Sequence, residues 1–290
     1  MKTRNEKILS MIKFGELMSK HTTFKIGGPV DIWAQPEDME SLSEILNLCR
    51  QDNLPVMAIG NGSNLLIKDK GFKACVINMG ADNFKGIKID DNSVTVGAGF
   101  NLPKLLNALC EKGLSGLESL AGIPATVGGA LAMNASGIGD FVQAVTAVDK
   151  NGQIVNLEKK GLIFRYRGSN LEKYIILKAK LKLKNSGTKA IRDKMKGYLS
   201  EKIKKQELSK PSAGCVFKNP EGDSAGRLID ASGLKGKNVN GAFVSTKHAN
   251  FIINMGNARC DDVLKLMDIV RGKVKKDHGI SLEPEIKVLG

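Results

Sequence analysis

Two glycine-rich loops contain the residue types best suited to bind a phosphorylated ligand. The first, Gly60-Asn61-Gly62-Ser63-Asn64, gives the pattern G-x-G-x-x-L and lacks the third glycine of the Rossmann fingerprint. The apolar run at 65–68 predicts a strand, not the helix whose N-terminus would face a pyrophosphate. Consecutive backbone N–H groups in a strand–loop–strand can still bind phosphate, with Ser63 and Asn64 as further donors. An ordinary turn is the alternative that this loop alone leaves open.

The second loop is Gly122-Ile123-Pro124-Ala125-Thr126-Val127-Gly128-Gly129. Thr126 predicts a helix N-cap, and the first amides of that helix would point at an anion. Gly128 and Gly129 inside the helix cost stability, which suits a place where a flat ligand or another backbone approaches closely. Because neither loop carries a Walker lysine, the pair indicates an extended dinucleotide cofactor rather than a nucleoside triphosphate.

The elements that must position these loops are segregated helices and strands. Hydrophobic periodicity predicts helices at 36–50, 102–111, 225–232 and 261–276, and a lysine-rich helix within 184–210. It predicts strands at 54–60, 65–68, 74–78, 94–96, 142–149, 153–157, 174–183 and 281–289, and a strand pair within 242–254. Asn151-Gly152 is a strong hairpin signal. This order favours an α+β fold with mixed sheets over a doubly wound parallel fold.

The net charge of +14 has three interpretations: a nucleic-acid surface, a site that collects phosphate groups, or solvated lysines on helix faces. The lysine-rich helix illustrates the third. Its apolar stripe is Ile191, Met195, Tyr198, Leu199 and Ile203, and its lysines fall largely off that stripe. Three tyrosines and one tryptophan leave few aromatic side chains for stacking on single-stranded nucleic acid.

Composition predicts a cytoplasmic protein of two or three domains. The 290 residues include five scattered cysteines, Cys49, Cys75, Cys110, Cys215 and Cys260, with no C-x-x-C pair. This usage fits a reducing compartment and argues against a disulfide framework or a zinc site. No apolar run is long enough to span a bilayer, and the charged N-terminal stretch lacks the apolar core of a secretory signal.

Seven separated sequence blocks follow one another along the chain: HTTFKIGG (21–28), GNGSN (60–64), GIPATVGG (122–129), YR (166–167), GCVFKNP (214–220), HANF (248–251) and LEPE (282–285). Their order and spacing resemble the UDP-N-acetylenolpyruvoylglucosamine reductase family. The similarity runs from about Lys20 to the C-terminus. The compact stretch after Lys218 resembles the short form that lacks an extra tyrosine-bearing loop.

The resemblance implies an FAD-binding region of the vanillyl-alcohol-oxidase type in two subdomains, 1–78 and 79–186, followed by an α+β substrate-binding domain at 187–290. The C-terminal strand at 281–290 would return to the active site. The FAD would be held by the two loops. The implied cofactor residues are Ile59, Gly60, Asn61, Gly62, Ser63, Asn64, Gly122, Ile123, Pro124, Thr126, Gly128 and Gly129.

The implied activity is NADPH-dependent reduction of UDP-N-acetylglucosamine enolpyruvate to UDP-N-acetylmuramate for peptidoglycan. Hydride would pass from NADPH to FAD to the enolpyruvyl group, and Cys215 would then donate a proton. The resemblance implies no nucleic-acid partner, no membrane insertion and no protein partner, and so a monomer. Two alternatives stay open: another FAD-dependent oxidase or dehydrogenase with the same cofactor fold, and a basic RNA-binding protein without a cofactor.

Three residues would carry the chemistry by this similarity. Arg167 would grip the substrate carboxylate with its planar guanidinium. Glu285 would lie near the same carboxylate, either protonated or paired with Arg167. Cys215 stands where many members have serine; a thiol with an ordinary pKa of about 8.5 is still protonated at neutral pH. Lys218 and Asn219 would bind the diphosphate or uracil, and Tyr166 would pack on the substrate.

Each assignment has a structural alternative. Cys215 could be a small core residue, Arg167 with Arg165 a surface strand edge, and Glu285 a solvated edge charge. His248 is interpreted as a structural histidine without a catalytic role. The chain also departs from the family at Asn134-Ala135-Ser136-Gly137-Ile138-Gly139, where many members have Asn-Ala-Gly-Ala-Tyr-Gly. That difference concerns loop packing near the flavin.

Overall fold

The computed structural model describes residues 4–290, which divide into two units. The first three residues, which begin the predicted 1–78 segment and the charged N-terminal stretch, lie outside the described residues. The first unit runs to Phe14 and continues with Asp31–Asn61 and Ala74–Glu201. The second unit contains Gly15–Val30, Gly62–Lys73 and Lys202–Gly290.

A four-stranded sheet carries the strand that leads into the first glycine loop. Its strands are, in spatial order, Ile12–Leu17, Pro29–Ala34, Phe72–Asn78 and Val56–Ile59, and the last two run parallel. Helix Met39–Gln51 buries Leu42, Ile45, Leu46 and Cys49 in the core that also contains Cys75 and Ile77. The strands at 12–17 and 29–34 were not predicted from periodicity.

Helix 39–51 begins three residues later than the predicted start at Pro36. The carboxylate of Asp38 accepts a hydrogen bond of 2.9 Å from the Ser41 N–H, and the Ser41 hydroxyl oxygen accepts one of 3.1 Å from the Asp38 N–H. This reciprocal capping box satisfies the first free amides of the helix and fixes its start. The capping box, and not Pro36, therefore determines where this helix starts.

A five-stranded antiparallel sheet forms the second layer of the first unit. Its strands are, in spatial order, Ile154–Glu158, Val142–Val148, Ile175–Lys182, Ser93–Gly97 and Ile87–Asp90. The predicted hairpin at Asn151-Gly152 is confirmed, since Ile154 pairs with Val148 and Gly152 has φ +78°. Helix Leu102–Glu111 is also confirmed. Its N-cap is Asn101, whose side chain accepts the Lys104 N–H at 3.0 Å.

The second unit is built on a four-stranded antiparallel sheet and two helices. The strands are, in spatial order, Ser212–Cys215, Phe251–Asn254, Ala242–Val244 and Asn238–Val239. Helices Ala225–Ala231 and Cys260–His278 pack on it through buried residues such as Leu228, Val263 and Leu266. Phe24 and Leu66 belong to the same core, which explains why two early segments join this unit.

The C-terminal strand is shorter than predicted. Only Lys287–Leu289 is a strand, and it pairs in parallel with Leu65–Ile67. The prediction of a strand over 281–289 is wrong for its first part. Pro284 has no N–H for a ladder, and within 281–286 it forms only an isolated bridge with Phe217. The parallel partner was not foreseen, because nothing local in either sequence identifies it.

The lysine-rich helix runs from Thr188 to Lys205. Of its apolar stripe, Ile191 is buried, whereas Tyr198, Leu199 and Ile203 are 44%, 39% and 51% exposed. The periodicity therefore identified the helix correctly, but most of the stripe does not face a core.

Shorter elements complete the fold. They are helices Arg4–Ser10 and Val127–Ala132, strand pairs Leu114–Ser115 with Lys184–Asn185 and Phe164–Arg165 with Gly168–Ser169, and 3₁₀ turns Met18–Lys20, Asp82–Phe84, Glu118–Leu120, Ala135–Phe141, Lys159–Gly161 and Asn170–Lys173. Across residues 4–290 no helix combines the length and apolarity needed to cross a membrane.

Candidate active site

The first glycine loop, residues 60–64, leaves a run of main-chain donors unused. Strand Val56–Ile59 ends at buried Ile59. Within residues 4–290, the backbone N–H groups of Gly60, Asn61, Gly62 and Ser63 donate to no backbone or side-chain atom. Gly62 has φ +62°, a left-handed conformation that costs glycine little. Consecutive amides of this kind are what a phosphate-binding nest requires.

In the first unit, the start of this loop is fixed against the second glycine loop. The Asn61 side chain donates to the carbonyl oxygen of Pro124 at 3.1 Å, and Asn78 donates to the carbonyl oxygen of Gly60 at 3.2 Å. A Cβ atom at position 60 would overlap with the Thr126 hydroxyl. Gly60 is therefore required by the close approach of the two loops.

In the second unit, the end of the loop holds the C-terminal segment. The Asn64 side chain donates to the carbonyl oxygen of Glu285 at 3.3 Å, and the Lys287 N–H donates to the carbonyl oxygen of Asn64 at 3.0 Å. A Cβ atom at position 62 would overlap with the carbonyl oxygen of His21. Asn64, predicted as a phosphate donor, thus also positions Glu285.

The helix after the second loop starts where the sequence predicted. The Thr126 hydroxyl caps it by accepting the Gly129 N–H at 3.3 Å. The N–H groups of Val127 and Gly128 donate to carbonyl oxygens within 98–100 at 2.9 and 2.8 Å. The first three amides are thus engaged inside the protein. The expectation that they face an anion is wrong, because a neighbouring backbone segment binds the first two and the Thr126 hydroxyl binds the third.

Other donors of the second loop are available. Within the described residues, the N–H groups of Gly122 and Thr126 form no hydrogen bond, and Gly122 has φ +80°. The helix glycines differ in their surroundings. A Cβ at Gly128 would lie 3.0 Å from the Cβ of Ala98, whereas a Cβ at Gly129 would meet only the Thr126 hydroxyl, at 3.5 Å. Protein packing accounts for Gly128, while a Cβ at Gly129 would make only one ordinary contact.

Glu118 anchors the segment that leads into the second loop. Its carboxylate accepts hydrogen bonds from the Ser115 hydroxyl at 2.5 Å and the Gly116 N–H at 2.8 Å. Burial alone would raise the pKa of Glu118, but these hydrogen bonds hold the pKa below its ordinary value. The carboxylate is therefore a charged, structural group.

Arg167 occupies the second position of a two-residue hairpin turn. Strand Phe164–Arg165 pairs with Gly168–Ser169, so that Tyr166 and Arg167 form the turn. Arg167 has φ +59°, which costs a non-glycine residue about 1–2 kcal/mol. It is half-buried, and its Cζ lies 5.6 Å from the ring centroid of Tyr166, which is 59% exposed. The interpretation of Arg167 as a surface strand edge is wrong, since the surrounding structure imposes a strained turn.

The Arg167 hairpin (residues 164–169) is attached to the segment that departs from the family pattern. The Asn134 side chain donates to the carbonyl oxygen of Arg165 at 3.0 Å and accepts the Gly139 N–H at 3.0 Å. A Cβ at Gly139 would overlap with the Phe164 ring. The Ser169 hydroxyl lies 3.0 Å from carbonyl oxygens at the end of helix 127–132. The hairpin is thereby fixed beside the second glycine loop.

Cys215 ends an irregular strand of the second unit. It pairs with Phe251, and the register shifts between Ser212 and Cys215, where Gly214 has φ +77°. The other four cysteines are buried, whereas Cys215 is only partly buried. Burial raises the pKa of the Cys260 thiol to about 12. Cys215 is thus the least buried of the described cysteines, in contrast to the alternative of a core residue.

Glu285 and Lys218 lie on a short antiparallel contact that starts at Cys215. The Glu285 N–H donates to the carbonyl oxygen of Val216 at 2.7 Å, and the Lys218 N–H donates to that of Glu283 at 2.8 Å. The Lys218 ammonium is 3.2 Å from the Glu283 carboxylate. The backbone segments of Cys215, Lys218 and Glu285 therefore come together, although Glu285 is distant in sequence from the other two.

Asn219 and His248 have identifiable structural contacts. The Asn219 side-chain oxygen accepts the Ala225 N–H at 3.1 Å, at the start of helix 225–231. His248 accepts the Asn250 N–H at 3.3 Å, and its ring centroid lies 4.9 Å from that of Phe251. Burial lowers the pKa of His248. These contacts agree with the interpretation of His248 as a structural histidine.

The structure also identifies a polar residue that pattern analysis did not select. Asn250 is 2% exposed, yet its side chain forms two hydrogen bonds with the backbone of Phe217. The HANF block was the available signal, but its spacing does not indicate a partner. Across residues 4–290, no group of three or more His, Cys, Asp or Glu side chains could hold a metal ion.

The predicted residues thus form two groups, one in each unit. The first-unit group contains Ile59, Gly60, Asn61, Gly122, Ile123, Pro124, Thr126, Gly128, Gly129, Tyr166 and Arg167. The second-unit group contains Gly62, Ser63, Asn64, Cys215, Lys218, Asn219 and Glu285. The first offers backbone donors and a guanidinium; the second offers a thiol, a carboxylate and an ammonium.

Comparisons with known proteins agree with this chemistry. Residues 206–289 match the family described as "UDP-N-acetylenolpyruvoylglucosamine reductase, C-terminal domain", and residues 30–158 match the "FAD binding domain" family. UDP-N-acetylenolpyruvoylglucosamine reductase of Clostridium tetani is 42% identical over 96% of this chain and 92% of its own length. The enzyme of the same name from Syntrophomonas wolfei is 41% identical over 96% of this chain and 95% of its own.

A solved structure extends the similarity to the fold. The crystal structure of UDP-N-acetylenolpyruvylglucosamine reductase from Thermus caldophilus has a TM-score of 0.82, with 37% identity over 96% of this chain and 99% of that chain. Together with the FAD binding domain match, it confirms the predicted α+β fold with an FAD-binding region of the vanillyl-alcohol-oxidase type.

Proposed function

Since the chain belongs to the family of UDP-N-acetylenolpyruvoylglucosamine reductases, we propose that Arg167, Cys215 and Glu285 carry out the family's reaction. The chain is an FAD-dependent oxidoreductase that uses NADPH to reduce UDP-N-acetylglucosamine enolpyruvate in peptidoglycan synthesis. The observation that carries the site assignment is the hydrogen bond from the Glu285 N–H to the Val216 carbonyl oxygen. It brings the Glu285 segment beside the residue that follows Cys215.

The glycine loops suit an FAD diphosphate. The amides of Gly60, Asn61, Gly62 and Ser63 supply consecutive donors, and overlap with neighbouring atoms excludes a larger residue at Gly60. When bound, FAD supplies the hydride relay from NADPH to the enolpyruvyl group. The proposed cofactor residues are Ile59, Gly60, Asn61, Gly62, Ser63, Asn64, Gly122, Ile123, Pro124, Thr126, Gly128 and Gly129.

The chain's own groups stabilise charge and deliver a proton. Addition of hydride to the terminal alkene carbon pushes negative charge onto the α-carbon and its carboxylate. Arg167 would hold that carboxylate through two parallel hydrogen bonds, which stabilises the developing enolate. The Cys215 thiol would then donate its proton to the α-carbon and complete the reduction. Glu285 is the third proposed group, an acid that would have to be protonated to stabilise the developing negative charge.

The sugar nucleotide requires further polar groups. Lys218 is a partly buried ammonium whose ion pair with Glu283 is exposed enough to exchange for a phosphate oxygen. The Asn219 side-chain oxygen accepts the Ala225 N–H at the start of helix 225–231, so the side-chain NH₂ group is the part suited to bind substrate. Tyr166 is exposed and offers a ring for packing. These three residues are the proposed substrate contacts.

Organisation and location are also proposals. We retain the division into FAD-binding subdomains 1–78 and 79–186 and a substrate domain at 187–290, although Gly15–Val30 and Gly62–Lys73 join the second unit. A monomer in the cytoplasm, without a nucleic-acid or protein partner, is the simplest form consistent with the cysteine usage and the small-molecule reaction.

The test is NADPH consumption by the purified, flavin-loaded protein with and without UDP-N-acetylglucosamine enolpyruvate. We expect oxidation of NADPH to depend on the sugar nucleotide, with one NADPH consumed per product formed. A yellow protein whose NADPH oxidation ignores the sugar nucleotide would instead be another flavin oxidase or dehydrogenase. A colourless protein with salt-sensitive RNA binding would be the basic nucleic-acid binder.

A further inference from the structure

The Asn250 side chain forms hydrogen bonds with a backbone peptide as a neighbouring strand would. It lies just before strand Phe251–Asn254 and is 2% exposed. Its side-chain oxygen accepts the Phe217 N–H at 2.9 Å, and its side-chain nitrogen donates to the Phe217 carbonyl oxygen at 2.8 Å. The main-chain oxygen of Asn250 accepts the Val216 N–H at 2.9 Å. One residue thus satisfies three backbone groups directly after Cys215.

Asn250 holds the backbone of Val216 and Phe217, which directly follows Cys215, the proposed proton donor. Cys215 is the last residue of its strand to pair with the neighbouring strand, and the register before it is irregular. Beyond Cys215 the backbone is held on one side by Asn250 and on the other by residues 283–285. If the Asn250 side chain is removed, this backbone loses two of the three hydrogen bonds that Asn250 makes to it.

We propose that Asn250 is a positioning residue that aligns the Cys215 thiol with the substrate α-carbon. The inference rests on the proposed role of Cys215. Proton transfer requires the donor within hydrogen-bond reach of the accepting atom, and a displacement of about 1 Å costs on the order of 100-fold in rate. Asn250 touches neither thiol nor substrate in this role; it acts through the backbone of residues 216 and 217.

Asn254 provides a matched control on the same strand. It is 4% exposed, and its side chain donates to the Phe24 carbonyl oxygen at 3.0 Å and accepts the Gly256 N–H at 2.8 Å. Residue type, burial and backbone bonding therefore match those of Asn250. Asn254 holds a different part of the unit and has no bond to residues 215–218 in the described chain.

The experiment compares the two half-reactions in Asn250→Ala and Asn254→Ala. Stopped-flow absorbance follows reduction of bound flavin by NADPH and its reoxidation by the sugar nucleotide. We expect Asn250→Ala to slow reoxidation about 100-fold while NADPH reduction stays within about twofold. Asn254→Ala should lose similar thermal stability yet keep both rates. Equal effects of the two variants, or normal reoxidation by Asn250→Ala, would overturn the inference.

A chemical readout that does not require turnover accompanies these rates. Because the other cysteines are buried, iodoacetamide on the native holoenzyme reports on Cys215, and mass spectrometry locates the adduct. We expect Asn250→Ala, but not Asn254→Ala, to change the Cys215 alkylation rate by about tenfold or more. An unchanged alkylation rate in Asn250→Ala would contradict the inference. If Asn250→Ala does not retain flavin, Asn250→Ser undergoes the same measurements.

Parallel measurements separate failure of the inference from failure of the proposed function. Wild-type protein that the sugar nucleotide does not reoxidise would refute the function itself. A wild type that works, with Cys215→Ala working equally well, would refute the donor role on which the inference rests. A wild type that works, an inactive Cys215→Ala and a fully active Asn250→Ala would refute only the positioning role.

Discussion

The main-chain N–H of Glu285 donates a hydrogen bond of 2.7 Å to the carbonyl oxygen of Val216. Val216 follows the proposed proton donor, so this backbone bond brings the Cys215 and Glu285 segments side by side. Side-chain substitutions at these two positions therefore leave the contact that aligns them intact. The functional effect of such variants can be separated from loss of structure.

Replacing the Cys215 thiol should impair reduction of the sugar nucleotide but not reduction of the flavin. In Cys215→Ala, we expect NADPH to reduce the flavin at the normal rate, while turnover of the sugar nucleotide falls about 10²–10⁴-fold because the general acid is missing. Cys215→Ser should keep substantial turnover, since a hydroxyl can donate from the same place. Rapid-mixing measurement of both half-reactions distinguishes the steps. Full turnover by Cys215→Ala would remove this residue from the mechanism.

The two helix glycines should separate a ligand effect from a packing effect. Gly129→Ala places a Cβ where it makes only an ordinary contact and favours the helix by about 1 kcal/mol, so the apoprotein should be no less stable. If the cofactor approaches Gly129, the FAD dissociation constant should rise about tenfold or more. Thermal unfolding of the apoprotein and titration with FAD measure the two quantities.

Gly128→Ala is the control for this pair. Its Cβ would lie 3.0 Å from the Cβ of Ala98, so the apoprotein should lose about 1–3 kcal/mol of unfolding free energy. An unchanged FAD affinity in Gly129→Ala would show that position 129 does not face the cofactor.

Ser136 is a strained residue in the segment that supports the Arg167 hairpin. It has φ +45° and is exposed, so its side chain contributes little packing. Ser136→Gly should increase the free energy of unfolding by about 0.5–1 kcal/mol, because relief of left-handed strain exceeds the added entropy of the unfolded chain. Chemical denaturation measures the change. Ser136→Ala keeps the strain and should show no gain; equal stabilisation by both variants would exclude the backbone explanation.

His248 should make stability depend on pH just below neutrality. Burial lowers its pKa in the folded state, whereas the unfolded chain binds a proton near pH 6.5, about the ordinary value. Stability should therefore fall as the pH drops from about 6.5 through the lower, folded-state pKa. His248→Gln should reduce this decline between about pH 7 and 5.5. Melting temperatures across this range are the measurement, and parallel curves for both proteins would contradict the prediction.

Carboxylates with lowered pKa values titrate below the pH range in which His248 is tested. The hydrogen bond from Arg227 holds the pKa of Asp223 at about 2, and hydrogen bonds from Ser41 lower the pKa of Asp38. Stability that arises from such groups is lost only at more acidic pH, below the ordinary carboxyl values of about 4. The difference between the wild type and His248→Gln near pH 6 therefore reports on His248, one of the three histidines of the chain.

Local patterns in the sequence were sufficient for most helices and strands. Helix 102–111 and the hairpin at Asn151-Gly152 agree with prediction, because capping residues, turn residues and hydrophobic periodicity act over a few positions. The same locality explains the errors. The start of helix 39–51 depends on a capping box, the edge strand at 12–17 has weak alternation, and the edge strand at 87–90 alternates over only four residues.

The candidate site was predicted in its residues but not in its contacts. Sequence blocks identified Cys215, Glu285 and the glycine loops, and Thr126 as a cap is confirmed. Sequence could not show that the amides of Val127 and Gly128 are already engaged, because their acceptors lie in another segment. It also could not select Asn250, whose two hydrogen bonds join residues far apart in the chain.

The amino-acid sequence alone thus determined the family, the α+β class, the glycine loops and the accessible chemistry of a thiol, a guanidinium and a carboxylate. Only the tertiary structure decided which backbone amides are left to bind a ligand, and that Lys287–Leu289 pairs with Leu65–Ile67 so that Asn64 holds Glu285. The physical reason is that propensity and periodicity act between neighbours in sequence. Hydrogen-bond satisfaction, in contrast, is decided between segments that only folding brings together.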